Sequence, residues 1–572
     1  MAALGSYQSG WGVGGAALHY FANFPRLLPS DFKMKSEHNR GLDWPISYQD
    51  VARYYDKVAQ DVGVSGDAKA EEIWRPAGKP YPMPPMKTFR NGELWVKACA
   101  EHGIRLAPAC VGMNSTEYKG RPACIYDGWC HIGCPTGALS NPIVTYLGEA
   151  RRAGAEVRAR STVTRVLMNK EGTKAIGVEY YDADRQRHTQ PASVVVLAAW
   201  SAQNPRLLLN SATAKHPKGL ANASGLVGKY MMCHFASGTW ALFDEDVQNH
   251  LGTTGAQFMS YDRYPKTSHK GAFGSTFIVA GSALKTSDLG GFANARLDLF
   301  GPDLHAFMKR AARGLTRLNA FGEELPNVEN RVELATEKDE FGMPLGRIVH
   351  GYDEDAAAVW NANFEEGLKI AKATGAKEVW SGRGAMPTIH LMGGTIMGTR
   401  ASSSVVNSYG QTHEIANLWI AGPGIFPTAG ASQHRLAKPR AHESIALCRR
   451  PGASGRRASA GVSLEGGEAG GRLRARRRHG RRHARGGAAP IADVGAAGNY
   501  REQARREHQH RCGRSGEGVG RRLYAALDRR DHVRGESVCL HAAAVRPGEG
   551  LRAGDGPWHR QPGAGGESGA AV

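Results

Sequence analysis

No apolar run in this chain approaches the roughly 18–20 residues that a helix needs to cross a bilayer. The start, MAALGSYQSGWGVGG, has neither the basic segment nor the apolar core of a secretory leader. The sequence therefore reads as having no signal peptide and no transmembrane segment of its own. Cysteine is scarce, nine in 572 residues, and Cys99, Cys110, Cys233, Cys448, Cys512 and Cys539 stand singly. That spacing excludes the disulfide framework of a small secreted domain. Also missing is a strand followed by GxGxxG and a helix, the dinucleotide fingerprint. Lysine nearly vanishes beyond Gln433, where 27 arginines accompany one lysine, Lys438.

Charge is unevenly spread. The formal +20 comes from 73 basic and 53 acidic residues, but residues 434–572 hold 28 basic and 13 acidic, and residues 1–433 hold 45 and 40. The body is only mildly basic, so the charge is not read as a nucleic-acid surface. The tail is rich in Arg, Gly and Ala with little apolar periodicity, which reads as disordered. A natural basic arm mixes lysine with arginine, so the leading expectation is GC-rich coding DNA translated out of frame after Gln433.

At this length two to four domains fit. DWPISYQDVARYYDKVAQDVGV (43–64) has apolar residues at helical spacing behind a Ser/Asp turn and predicts an amphipathic helix. AEVRARSTVTRVLMN, AIGVEYYDA and ASVVVLAAW, within 155–200, predict strands. SVVVLAA (193–199), apolar without alternation, suggests a strand buried on both faces. WSAQNPRLLLNSA then opens a helix at Asn204-Pro205. Residues 236–385 mix strands (STFIVAG, RVELATE, GRIVHGYD) with helices (LHAFMKRAARG, AAAVWNANFEEGLKIAKATG), as in a second domain facing substrate.

Three segments carry chemistry. RPACIYDGWCHIGCPTGA (121–138) places Cys124, Cys130 and Cys134 in eleven positions with Gly128, Gly133 and Pro135 among them. Converging thiolates on a glycine-containing loop suit an iron–sulfur cluster, and three suit a three-iron cluster. A zinc site completed by His131, or unlinked surface cysteines, remain alternatives. GWGVGGAALHYF (10–21) has a glycine cluster that lets backbone approach a phosphate or flavin. In TIHLMGGTIMGTR, His390 precedes Gly393, Gly394 and Gly398. An imidazole there is a natural base for a hydroxyl proton near neutral pH.

Together these segments resemble the glucose–methanol–choline (GMC) family of FAD-dependent alcohol oxidoreductases over nearly all of residues 10–433. GVGGAALHY resembles a flavin-contact loop, SVVVLAAWSAQNPRLLLNSA and LANASGLVGKYMMCH the segments closing on the cofactor, and His390–Gly430 the C-terminal catalytic region. The cysteine loop resembles that of the gluconate 2-dehydrogenase and FAD-glucose or sorbitol dehydrogenase large subunits. The resemblance implies a mixed α/β fold whose FAD-binding domain is incomplete at its N-terminus, beside a substrate domain containing an antiparallel sheet. The implied division is 1–30 and 138–235 for FAD binding, 31–120 a helical cap and 121–137 the cluster loop. Residues 236–385 would bind substrate, 386–433 complete the catalytic segment, and 434–572 form the tail.

The resemblance further implies FAD at Gly12, Gly14, Gly15, Val163, Ala421 and Gly422, and a [3Fe-4S] cluster on Cys124, Cys130 and Cys134. His390 is the implied catalytic base. His434 stands where the family has a second catalytic group, although the following Arg435-Leu436-Ala437 departs from the family's Asn-Pro-Thr. The activity implied is dehydrogenation of a CH–OH group of a sugar, polyol or aldonate. The partners implied are a small export-chaperone subunit and a c-type cytochrome, at the periplasmic face of the inner membrane through those subunits. The missing GxGxxG unit makes an inactive fragment one alternative, and an oxidase without a cluster is another.

Overall fold

An eleven-residue strand, Met232–Leu242, organises the molecule. In the computed structural model the described residues are 10–285, 288–290, 296–383, 389–432 and 536–539, and they belong to one compact unit. Along its length this strand pairs antiparallel with Leu315–Gly322 on one side and Glu378–Arg383 on the other. Thr276–Ala280, Phe258–Ser260 and Ala107–Pro108 extend the sheet. The helix Glu354–Ala373 begins at Asp353, whose side chain accepts the Ala356 N–H (2.8 Å), satisfying one of the donors that a helix start leaves open. It lays Val359, Trp360, Ile370 and Ala371 on the sheet. The antiparallel sheet expected of the substrate domain is present.

Arg331–Lys338 and Pro344–His350 pair antiparallel in a sheet of their own, and five further strands form another group. Val195–Leu197 and Leu418–Ile420 pair in parallel, and Thr162–Met168, Ala175–Tyr181 and Arg187–Pro191 form a meander. Their core includes Val195, Leu197, Leu207, Leu208, Val406, Leu418 and Ile420, joined by Tyr48, Val51 and Tyr55 of the predicted helix. That helix spans Tyr48–Val62. Ser47 caps it reciprocally with Asp50, and its buried residues follow the three- and four-residue spacing read from the sequence.

One expectation is corrected. The run 193–199 forms only the strand Val195–Leu197, and Val196 is 45% exposed. Among the described residues no strand or helix covers that face, so the apolar run is buried on one side only. Of the tail, Glu536–Cys539 is described, as a strand antiparallel to Pro344–His350. His434 lies outside the described residues.

Burial also stores a pH dependence. Glu71, 3% exposed, accepts the Tyr81 hydroxyl (2.8 Å) on one oxygen while its Oε1 has no partner. Desolvation raises its pKa from 4.5 to about 7. Because the folded pKa lies above the unfolded one, the associated stability is complete below the unfolded value and is lost as pH rises through about 7. Glu71→Gln is expected to raise stability at pH 8 by roughly 1–3 kcal/mol and leave pH 4 unchanged. Thermal melts at both pH values check this; an equal gain at both would refute it.

Candidate active site

Two histidines meet where Ile389–Met392 joins the end of the long strand, with His234 opposite Ile389. Nδ1 of His234 lies 3.0 Å from Nδ1 of His390, and the rings stand edge to face with centroids 5.2 Å apart. On its far side, Nε2 of His234 lies 2.8 Å from the Gly430 carbonyl oxygen. A carbonyl can only accept, so Nε2 of His234 carries a proton. Burial pushes the His234 pKa down to about 4, so the ring is neutral at pH 7 and its Nδ1 is an acceptor. Nδ1 of His390 is then the donor, so in the neutral ring Nε2 of His390 carries the lone pair, the tautomer of a base.

Both ends of this relay are fixed. The Gly430 carbonyl is followed by Ala431, whose N–H donates to Tyr264 Oη (3.3 Å). The Tyr264 hydroxyl donates to Asp31 (2.8 Å), which pairs with Lys266 (2.7 Å), and Lys266 pairs with Glu323 (2.8 Å). These charges are buried at 0–3% exposure, so they persist only as a mutually satisfied group. His390 itself holds a left-handed backbone (φ 56°), uncommon for a side chain with a Cβ. Hydrogen bonds just downstream retain it: Gly393 N–H to the Pro423 carbonyl (3.1 Å) and Thr395 N–H to that of Gly424 (2.9 Å). A Cβ at Gly393 would lie 1.9 Å from the Tyr230 carbonyl oxygen, so glycine alone fits there.

Those bonds tie the histidine segment to the turn containing Ala421 and Gly422, which follows the strand Leu418–Ile420. Ala421 N–H donates to the Leu197 carbonyl (2.8 Å), continuing the parallel pair. At the N-terminal end, Gly12, Gly14 and Gly15 all have positive φ and form a tight turn closed by Gly15 N–H to Gly12 O (3.0 Å). It leads into a short 3-10 helix, Gly15–His19. A Cβ added at Gly12, Gly15 or Gly422 meets no protein atom within 4 Å. Backbone facing open space at these positions fits close approach by a flat cofactor. Val163 stands apart, 37% exposed on the meander opposite Tyr180.

The segment from the glycine turn to Phe21 packs against the cysteine loop and the residues that follow it. Tyr20 Oη donates to the Ser140 carbonyl (2.6 Å), the Phe21 and His131 rings are 5.9 Å apart, and a Cβ at Gly14 would touch Ile143. Cys130 is buried with Met113, Leu139, Phe321 and Ala431, and the Phe321 ring lies 6.0 Å from that of His390. Burial, reinforced by Cys130 and Cys134, pushes the Cys124 thiol up to about 12. At Cys134 burial acts the same way, but hydrogen bonds from the Thr136 side chain and the Leu139, Thr136 and Gly137 backbone hold it below its ordinary value. A sulfur surrounded by N–H donors suits a ligated thiolate. His131 faces Asp288 (3.7 Å).

The sequence reading identified His390 and both glycine turns but missed His234, a lone histidine in the apolar run MMCHFASG, and the Gly430 carbonyl, which no side-chain pattern marks.

Comparison with known proteins follows the same segments. The GMC oxidoreductase N-terminal profile matches residues 8–236 and the C-terminal profile residues 326–437. The chain is 31% identical over 440 residues to 2-methyl-1,2-propanediol dehydrogenase of Mycolicibacterium austroafricanum, covering 73% of this chain and 77% of that protein. It is 29% identical to the fructose dehydrogenase large subunit of Gluconobacter japonicus, over 74% of this chain and 78% of the other. It is 24% identical to the gluconate 2-dehydrogenase flavoprotein of Pantoea cypripedii, over 74% and 76%.

Proposed function

The chain belongs to the GMC oxidoreductase family, whose members oxidise CH–OH groups, and on that premise we propose that it is an FAD-dependent dehydrogenase of a sugar, polyol or aldonate. The observation that carries the reading is the His390 tautomer. Nε2 of His390 takes the substrate hydroxyl proton, while His234 holds the ring's other nitrogen as donor and so favours the neutral tautomer whose lone pair is on Nε2. FAD, when bound, supplies the acceptor for the hydride leaving the carbinol carbon. Gly12, Gly14, Gly15, Ala421 and Gly422 would hold it, with Val163 at the edge. The buried Phe321 beside His390 keeps water from that side of the base.

The similarity to a protein described as a large subunit supports assembly with further subunits. We place a [3Fe-4S] cluster on Cys124, Cys130 and Cys134, supplying one-electron chemistry toward a c-type cytochrome, with a small export-chaperone subunit and a periplasmic location. One observation supports the cluster over zinc: among the described residues the loop sulfurs and His131 are not a group whose ligand atoms all lie within 4.8 Å of one another, as a single small ion requires. No described helix is long and apolar enough to cross a membrane.

The purified full chain is expected to show flavin absorption bands with a broad brown shoulder. Adding a sugar or polyol should bleach the flavin bands. Cys130→Ser with Cys134→Ser should remove the shoulder and lower turnover with a one-electron acceptor about tenfold or more, while substrate still bleaches the flavin. A featureless visible spectrum would refute catalysis by this chain; flavin without iron would favour an oxidase.

A further inference from the structure

A second side-chain cluster lies one residue from the histidine pair and takes no part in the reaction above. Among the described residues, Cys233, Glu324 and His350 are a group of ligand-type side chains whose donor atoms all lie within 4.8 Å of one another. They come from the long strand, the turn after Leu315–Gly322, and the end of Pro344–His350. Cys233 is fully buried, Glu324 1% exposed and the His350 side chain 6% exposed.

The geometry converges on one point. His350 Nε2 lies 3.3 Å from Cys233 Sγ and 2.8 and 3.0 Å from the two Glu324 oxygens. Tyr352 Oη is 3.4 Å from the same sulfur. A single ring nitrogen offers one hydrogen or one lone pair, so it cannot serve the thiol and the carboxylate together. From metal–ligand lengths of about 2.3 Å for sulfur and 2.0–2.1 Å for nitrogen and oxygen, a tetrahedral ion spaces its ligand atoms roughly 3.3–3.6 Å apart. The sulfur separations, 3.3 Å to His350 and 3.4 Å to Tyr352, match that spacing, and the His350–Glu324 pair at 2.8–3.0 Å would open by about half an ångström to admit the ion. The carboxylate is already oriented, with Oε2 accepting the Cys233 N–H (2.6 Å) and Oε1 the Asn330 amide (2.9 Å), as supports for a ligand commonly do.

We propose that Cys233, Glu324 and His350 bind a zinc-class divalent cation, with Tyr352 or a water completing the tetrahedron. Thiolate and carboxylate bring two negative charges, so a divalent ion leaves the buried site neutral, avoiding an uncompensated interior charge. The ion would clamp three chain segments immediately beside His234, a structural role separate from the cysteine loop and independent of the proposed redox reaction.

The test uses the full-length chain carrying Cys124→Ser, Cys130→Ser and Cys134→Ser, so that loop thiols bind nothing. About one zinc per chain is expected, and after exchange with Co2+, a thiolate-to-cobalt charge-transfer band. Adding Cys233→Ser should abolish that band and cut zinc content about tenfold, and His350→Gln should cut zinc equally. Zinc below roughly 0.1 per chain, or zinc and band unchanged in Cys233→Ser, would overturn the site. If the serine variant does not fold, the chelator-treated parent titrated with Zn2+ decides. A rise of several degrees in melting temperature at about one equivalent supports the site, and no rise overturns it.

Discussion

Replacing His390 with alanine is expected to lower kcat for alcohol oxidation by about 10²–10⁴-fold, the usual worth of a positioned general base. The loss should fall on kcat and kcat/KM alike, because the proton is transferred only in the transition state. Flavin content should stay near that of the parent, since the glycine turns that would hold it draw on backbone rather than on this ring. Stopped-flow bleaching of the flavin bands by substrate measures the step directly. A variant reduced at the parental rate would remove His390 from the chemistry. Alanine also relieves little of the positive-φ strain at this position, so a change in thermal stability should be small beside the change in rate.

The second large effect is expected at His234. It touches His390 but is one ring removed from the lone-pair nitrogen, so it acts as a positioning residue. His234→Phe keeps a ring in the pocket and removes the acceptor for His390 Nδ1. His390 can then carry its proton on Nε2, the tautomer that cannot accept one, and kcat should fall about 10- to 100-fold with KM unchanged. His234→Gln supplies a carbonyl oxygen as acceptor and should recover much of that loss, which a purely steric role would not produce. Equal rates in the Phe and Gln variants, or a Phe variant as fast as the parent, would refute the relay.

Much of the architecture was legible because its determinants are local. The Tyr48–Val62 helix declares itself through Ser47, Asp50 and the spacing of Val51, Tyr55, Val58 and Val62. The run 193–199 shows where local reading stops. Unbroken hydrophobicity marks a strand, but whether both faces are covered depends on neighbours elsewhere in the chain, and Val196 is exposed on one side.

By itself, the sequence determined the family, the order of its segments, the glycine turns and the three-cysteine loop. Each of these is a contiguous run whose chemistry depends on residues a few positions apart. Only the tertiary structure decided which histidine faces His390 and which tautomer results, because His234 is 156 residues from His390 and 196 from Gly430. It alone assembled Cys233 with His350, 117 residues on, and with Glu324. The histidine contact follows from strand register, His234 lying opposite Ile389, whereas Cys233 and His350 sit on strands of different sheets that side-chain packing brings together. No local spacing encodes that alignment, so the groups that set the proton's direction became visible only when the strands were paired.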